Sequence, residues 1–91
     1  MFELIKLKEA RKDKDNETYI SYLIYLITKC MNEFSRTTSY DESIDEEFVF
    51  RALNKISSEY KIEAQLDEEQ YISHLESIYF AFEVLISEIF D

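Results

Sequence analysis

The acidic side chains are the residues of this chain whose type and spacing could do chemistry. They form three clusters: Asp41 and Glu42; Asp45, Glu46 and Glu47; Asp67, Glu68 and Glu69. Such carboxylates can ligate hard metal ions, act in pairs on glycosides, or attract a basic partner. A calcium loop of the EF-hand type needs regularly spaced ligands and a glycine, and this chain has no glycine. A chain of 91 residues is also small for enclosing a sugar cleft, so we favour the basic partner.

The negative charge is concentrated in the second part of the chain. Up to Arg36, seven Lys/Arg and six Asp/Glu give a net charge of +1. From Thr37 to Asp91, three Lys/Arg and fourteen Asp/Glu give −11, which completes the formal total of −10. Such a field repels nucleic acid and anionic membranes and attracts a basic surface. We predict a basic protein partner, in particular a nucleic-acid-binding enzyme, and no direct contact with nucleic acid or membrane.

The residue types used in most catalytic motifs are rare. His74 is the only histidine, Cys30 is the only cysteine, and glycine is absent. A catalytic triad, a Cys/His zinc site and a phosphate-binding glycine loop therefore lack their components. We expect His74 to be a partly exposed helical residue and Cys30 to be a small core residue. No enzyme activity, cofactor or metal is predicted.

Two further sets of residues could make contacts. Basic residues recur along the first helix and the turn after it, as phosphate-binding residues do: Lys6, Lys8, Arg11, Lys12 and Lys14. Acids interleave with them, which favours a solvated face with i,i+4 ion pairs. Tyr40 stands in an acidic loop, where it is either an interface residue or a half-buried loop anchor.

Composition predicts one all-α domain. The chain has neither glycine nor proline, although average usage would give about ten of them in this length. Strand-rich folds need such residues at tight turns. We predict a small four-helix domain, with a short helix over 2–12 and longer ones over 17–34, 44–61 and 68–90, packed as a bundle. The main loop is Ser35–Ser43.

Apolar spacing predicts which face of each helix is buried. Helix 2 is apolar nearly all round from Tyr19 to Phe34, which indicates a central helix. Helix 1 is expected to direct Phe2, Ile5 and Ala10 inward. The predicted inward face of helix 3 consists of Phe48, Val49, Ala52, Leu53, Ile56 and Tyr60. The stripe of helix 4 consists of Tyr71, Ile72, Leu75, Ile78, Tyr79, Phe82, Leu85, Ile86 and Ile89. Phe80, Val84 and Phe90 make the apolar surface wider than one core face needs. The stripe can therefore serve as core or as a homodimer interface, and both readings stay open.

Helix starts are marked by capping residues. Asp15 or Asn16 is predicted to cap helix 2. The sequences Ser43–Glu46 and Asp67–Gln70 fit capping boxes for helices 3 and 4. Leu66 and Tyr71 can form a hydrophobic staple around the second box.

The chain contains no pattern typical of a membrane or secretion signal. Its first five residues lack a basic start followed by a long apolar stretch. The apolar-rich run Tyr19–Ile27 is too short to span a membrane. We expect a soluble, cytoplasmic protein.

The order of elements over residues 1 to about 60 resembles the N-terminal helical part of the GatB/YqeY family. The residues that carry it are Phe2–Lys6, Ala10–Asp15, Asn32–Glu33, Asp45–Glu47 with Val49, and Leu53–Lys55. The resemblance implies a helical accessory domain associated with tRNA. The chain departs from that family in its last thirty residues, which form an acidic, aromatic helix instead of a second small domain.

These observations predict a non-enzymatic acidic module that engages a basic site on another protein by imitating the charge of nucleic acid. An inhibitor from a phage or mobile element, of anti-CRISPR or anti-restriction type, fits the small size and the charge. The predicted contact residues are Tyr40, Asp41, Glu42, Asp45, Glu46, Glu47, Asp67, Glu68 and Glu69. The alternatives are an RNA-associated accessory domain, which would use Lys6, Lys8, Arg11, Lys12 and Lys14, and a toxin-neutralising immunity protein.

Overall fold

Four α-helices make up the part of the chain that the structure, a computed structural model, describes: residues 4–37 and 45–90. They are α1 Leu4–Lys12, α2 Asn16–Thr37, α3 Glu46–Glu63 and α4 Glu68–Phe90. These residues form no strand, which confirms the predicted all-α four-helix domain. The observed bounds lie within three residues of the predicted ones. The molecule measures 38 × 28 × 21 Å along its principal axes.

Side-chain caps begin α2 and α4 as the sequence predicts. The backbone N–H of Thr18 donates to Asp15 Oδ1 at 2.7 Å. At α4 the N–H of Gln70 donates to Asp67 Oδ1 at 2.8 Å, and the N–H of Asp67 donates to Gln70 Oε1 at 2.9 Å. This reciprocal pair is the expected capping box, and it satisfies two N–H groups that the helix itself leaves unpaired.

The predicted capping box at Ser43 is wrong, because Asp45 caps α3. Its Oδ1 accepts from the N–H groups of Glu47 at 3.1 Å and Phe48 at 3.3 Å. Ser43 lies outside the described residues, and the carboxylate of Glu46 accepts hydrogen bonds from Lys29 and Asn32 on α2. Ser and Asp are comparable N-caps, and this contact with α2 favours the later start.

The α3–α4 connection reverses the chain without a glycine. The N–H of Leu66 donates to Lys61 O at 3.0 Å and that of Gln65 donates to Ile62 O at 3.1 Å. These two bonds form a Schellman motif, which needs a left-handed residue after the helix. Gln65 takes that conformation, with φ 56°. The cost for a residue with a side chain is about 1 kcal/mol or more.

The core lies between α2 and α4, with one contribution from α1. Every extensive helix–helix contact among the described residues involves α2, which confirms its predicted central position. The buried apolar residues are Leu7 of α1, Tyr19, Leu23, Ile24, Ile27 and Cys30 of α2, and Tyr71, Ile72, Leu75 and Tyr79 of α4. Leu66 packs against this core, as a staple residue should.

The predicted buried faces of α1, α3 and α4 are wrong in part. In α1 the buried residue is Leu7; Ala10 is only half-buried, and Phe2 and the side chain of Ile5 lie outside the described parts. In α3 the expected inward residues Phe48, Ile56 and Tyr60 are exposed, while Val49, Phe50 and Leu53 are half-buried. In α4 Leu85 is exposed. α3 and α4 each carry more apolar residues than α2 covers, so part of each of these stripes stays outside.

Candidate acidic interface

The acids at the start of α3 have three different surroundings. Asp45 is exposed, and its Oδ1 accepts a hydrogen bond in the helix cap. Glu46 is half-buried and accepts from Lys29 Nζ at 3.3 Å and from Asn32 Nδ2 at 3.0 Å. Its hydrogen bond is the main reason that the pKa of Lys29 is raised. Glu47 points outward and pairs loosely with Arg51 at 3.7 Å, so it is the member of this cluster most accessible to a partner.

The acids at the start of α4 are all exposed. Asp67 is the cap described above, and Glu69 forms an ion pair with Arg11 of α1. That bond is the main cause of a raised pKa for Arg11. Glu68 is exposed beside them.

The structure does not join the two clusters into one patch. Asp45–Glu47 begin α3 and Asp67–Glu69 follow its end, and α3 has 18 residues. At 1.5 Å per residue the clusters lie about 27 Å apart along the helix. Tyr40, Asp41 and Glu42 lie outside the described residues, so only six of the nine predicted contact residues are located.

A cleft between α2 and the start of α3 adjoins the first cluster. Its volume is about 460 Å³, within the range of about 300–1,000 Å³ that is usual for ligand pockets. The residues that line it are Lys14, Thr18, Ser21, Tyr22, Tyr25, Thr28, Glu46, Glu47 and Phe50. The lining combines three aromatic rings with two carboxylates and Lys14, and its accessible surface is almost entirely apolar; aromatic faces of this kind attract cationic side chains.

Two lysines of the chain already lie over the tyrosine rings of this cleft. Lys14 Nζ is 4.9 Å from the ring centre of Tyr22, and Lys29 Nζ is 5.3 Å from that of Tyr25. Cations attracted to aromatic faces lie at such distances. Sequence reasoning missed the cleft, although the i,i+3 spacing of Tyr22 and Tyr25 was a signal that both rings would share one face of α2.

The predicted basic stripe is only partly available for phosphate contacts. Arg11 pairs with Glu69 and lies 5.6 Å from the ring centre of Tyr19. Lys14 Nζ donates to Ala10 O at 3.4 Å. Lys8 and Lys12 are exposed, and the side chain of Lys6 lies outside the described residues. Contacts within the bundle thus occupy two of the four cations whose side chains are described.

The remaining titratable groups of the interior have structural partners. The hydroxyl of Tyr19 donates to Glu76 at 2.7 Å, and that of Tyr79 donates to Glu83 at 2.9 Å. Burial, helped by these carboxylates, raises the pKa of both phenols. Burial also raises the pKa of Cys30 to about 11, so its thiol is neutral and unreactive at physiological pH. Its position confirms the predicted small core residue.

His74 is a partly exposed helical residue, as predicted. Its ring stacks on that of Tyr60, with ring centres 4.7 Å apart. Among the described residues, no group of three or more His, Cys, Asp or Glu side chains is arranged to hold a metal ion.

Comparisons with family models, curated proteins and solved structures give no match to this chain. The described helices include none with the length and apolar content needed to cross a membrane. A functional assignment therefore rests on the charge and geometry of the surface described above.

Proposed function

We propose that this protein is a non-enzymatic acidic binding module that engages a basic, nucleic-acid-binding site on another protein. The observation that carries the proposal is the exposed acid Glu47, in the part of the chain with net charge −11, beside a cleft of three aromatic rings. Long-range attraction would speed the encounter. One Arg or Lys side chain of the partner would then anchor in the cleft, because interface energy is concentrated in a few such contacts.

The role is that of an inhibitor that imitates nucleic acid, as anti-CRISPR and anti-restriction proteins do. A partner occupied in this way would lose its nucleic acid, so protein and nucleic acid would compete for one site. An immunity protein that neutralises a basic toxin would use the same surface. The identity of the captured partner separates these two versions.

Affinity capture from a cell lysate at low and high salt, with mass spectrometry of the bound proteins, tests the proposal. We expect a basic nucleic-acid-binding protein that is released both by salt and by added nucleic acid. The diagnostic variants are Glu47→Gln and Tyr25→Ala, which leave both helix caps in place. Glu9→Gln, on an exposed position of α1, is the control and should bind like the parent.

Each of the two diagnostic variants should weaken binding, with Glu47→Gln mainly slowing association and Tyr25→Ala mainly speeding dissociation. Capture that persists at high salt, or equal binding by all three variants, would refute the proposal.

The exposure of Lys8 and Lys12 favours a second candidate, an RNA-associated accessory domain of the kind that the GatB/YqeY resemblance implies. Purified tRNA is the probe. Binding that weakens with salt and falls further in the Lys8→Ala/Lys12→Ala variant would support this candidate, whereas no binding at low salt would remove it.

A further inference from the structure

The two lysines that lie over the tyrosine rings of the cleft are held unequally. Lys29 Nζ donates to both carboxylate oxygens of Glu46, each at 3.3 Å. Lys14 Nζ has one described hydrogen bond, to Ala10 O at 3.4 Å, which is longer than a usual N–H···O bond. Among the described residues, Lys14 forms no ion pair. Lys14 is therefore the more weakly held of the two cations.

The side chain of Lys14 can leave the cleft while the backbone around it stays in place. Lys14 belongs to the turn between α1, which ends at Lys12, and α2, which begins at Asn16. Its backbone N–H donates to Arg11 O at 3.2 Å, so main-chain bonding fixes the turn. The side chain is half-buried, as expected of a lysine whose methylene stem covers apolar surface while its ammonium stays near water. Its departure would uncover the ring of Tyr22.

The surface that Lys14 covers suits an arginine better than a second lysine. Tyr22, Tyr25 and Phe50 line the cleft, and its accessible surface is almost entirely apolar. A cation bound there loses much of its water. A guanidinium is planar, weakly hydrated and stacks on aromatic rings, whereas an ammonium is compact and strongly hydrated. The apolar lining therefore favours an arginine side chain.

A carboxylate beside the rings supplies complementary charge for that arginine. Glu47 contributes to the lining and is exposed. The one described ion pair of its carboxylate, with Arg51, is 3.7 Å long between highly exposed groups, and such pairs contribute little. Glu46 is less available, because it already accepts from Lys29 and Asn32. Glu47 is therefore the carboxylate that a partner's guanidinium would contact.

We propose that Lys14 is an internal competitor for the cleft: its ammonium occupies the face of Tyr22 in the free protein until an arginine side chain of the partner displaces it. The inference rests on the proposed function, because it names the partner's anchoring side chain and a contact within the chain that opposes its binding. Removal of the Lys14 ammonium should therefore increase the affinity for arginine.

Titration of the purified protein with the end-blocked peptides Gly-Arg-Gly and Gly-Lys-Gly, followed by NMR, tests the inference. The diagnostic variant is Lys14→Met, which keeps an apolar stem and removes the ammonium. Loss of any lysine makes the protein more negative and so favours a cation. Lys12→Met, at an exposed position of the same basic segment, is the matched control because it changes the net charge equally. Circular dichroism confirms that each variant is folded.

We expect Lys14→Met to bind the arginine peptide about threefold more tightly than Lys12→Met does, because one cation–π contact no longer competes. Lys14→Met should also bind the arginine peptide more tightly than the lysine peptide. In a Tyr22→Leu background, which removes the ring, Lys14→Met should bring no such gain. Equal dissociation constants for the two lysine variants, no preference for the arginine peptide, or no binding by Lys14→Met would each overturn the inference.

The peptide titration and the lysate capture fail separately. Capture of a basic partner that is lost in Glu47→Gln, without any gain in Lys14→Met, would overturn only the role of Lys14. A gain in Lys14→Met for the arginine peptide, without capture of a nucleic-acid-binding protein, would support the arginine site and overturn only the proposed function.

Discussion

The two long helices that pack on α2 differ sharply in what they bury. Among the described side chains of α4, Tyr71, Ile72, Leu75 and Tyr79 are buried, whereas no residue of α3 is. Both helices are amphipathic and both carry aromatic residues. The difference arises because α4 occupies the more extensive contact with α2, and α3 covers what is left.

This contrast separates a helix that holds the fold together from a helix that presents a surface. In α4 even the polar hydroxyls are used internally, as the Tyr79–Glu83 bond shows. In α3 the apolar residues Phe48, Ile56 and Ile62 face solvent. Charge, cleft and exposed apolar residues meet on α3, and the proposed function therefore places a contact on it, through Glu47.

The largest difference between α3 and α4 should appear when one apolar residue is truncated in each helix. Leu75→Ala should lower the free energy of unfolding by about 2–5 kcal/mol, because it leaves a cavity in the core. Ile56→Ala should change it by only about 0.5 kcal/mol, as surface substitutions do. Urea denaturation at low protein concentration measures both. Comparable losses would show that α3 is as much a part of the core as α4.

Alkaline pH should weaken the α2–α4 contact, because it deprotonates a buried thiol and two buried phenol groups. The pKa of the Cys30 thiol is raised to about 11 from its ordinary value of 9.0. A raised pKa means that the folded state holds the proton more tightly, so this contribution is complete below pH 9 and is lost between pH 9 and 11. The slope is about 1.4 kcal/mol per pH unit for one proton.

Tyr19 and Tyr79 extend the same loss to higher pH, since their pKa values are also raised. The free energy of unfolding, measured by denaturant curves from pH 8 to 11, should therefore fall with pH in the parent. It should fall less in Cys30→Ala. Tyr25→Phe, at an exposed position of α2, is the control and should follow the parent. Identical slopes in all three proteins would contradict the role assigned to burial.

The caps of the two helices give a smaller test. Asp67→Ala removes the capping box of α4 and should cost about 1 kcal/mol. Asp45→Ala should cost less, because fraying the start of α3 exposes little buried surface. Thermal unfolding compares the two variants, and Glu68→Ala serves as an exposed control. A larger loss for Asp45→Ala would reverse the ranking of the two helices.

The smallest expected effect is at the connection between α3 and α4. Gln65→Gly should raise the free energy of unfolding by up to about 1 kcal/mol, since glycine adopts positive φ without steric cost. Ala64→Gly is the matched control and should destabilise the protein, because Ala64 has φ −84°. A loss of stability in Gln65→Gly would indicate that its side chain contributes more than its backbone costs.

Much of the local structure could be predicted from the sequence. The all-helical fold, the long helix α2 and the caps at Asp15 and Asp67 are confirmed. Each of these was predicted from composition or from residues that are close neighbours along the chain. The cap of α3 could not be decided in this way. Ser43 and Asp45 are both suitable, and the contact of Glu46 with Lys29 involves a helix distant in sequence.

The candidate site was predictable in charge but not in shape. Sequence located the acids and, through the predicted helix bounds, placed the clusters at Glu47 and Glu68 at opposite ends of α3. It gave no means of seeing that Tyr22, Tyr25 and Phe50 line one cleft, because those rings come from two helices.

The amino-acid sequence by itself determined that the chain is helical, where most helices begin and end, and that its second half is strongly acidic. Only the tertiary structure decided which apolar stripe of α3 turns inward. Two such stripes exist, one with Phe48 and Ile56 and one with Val49 and Leu53. Helical periodicity allows either, and the choice follows from competition between α3 and α4 for the surface of α2.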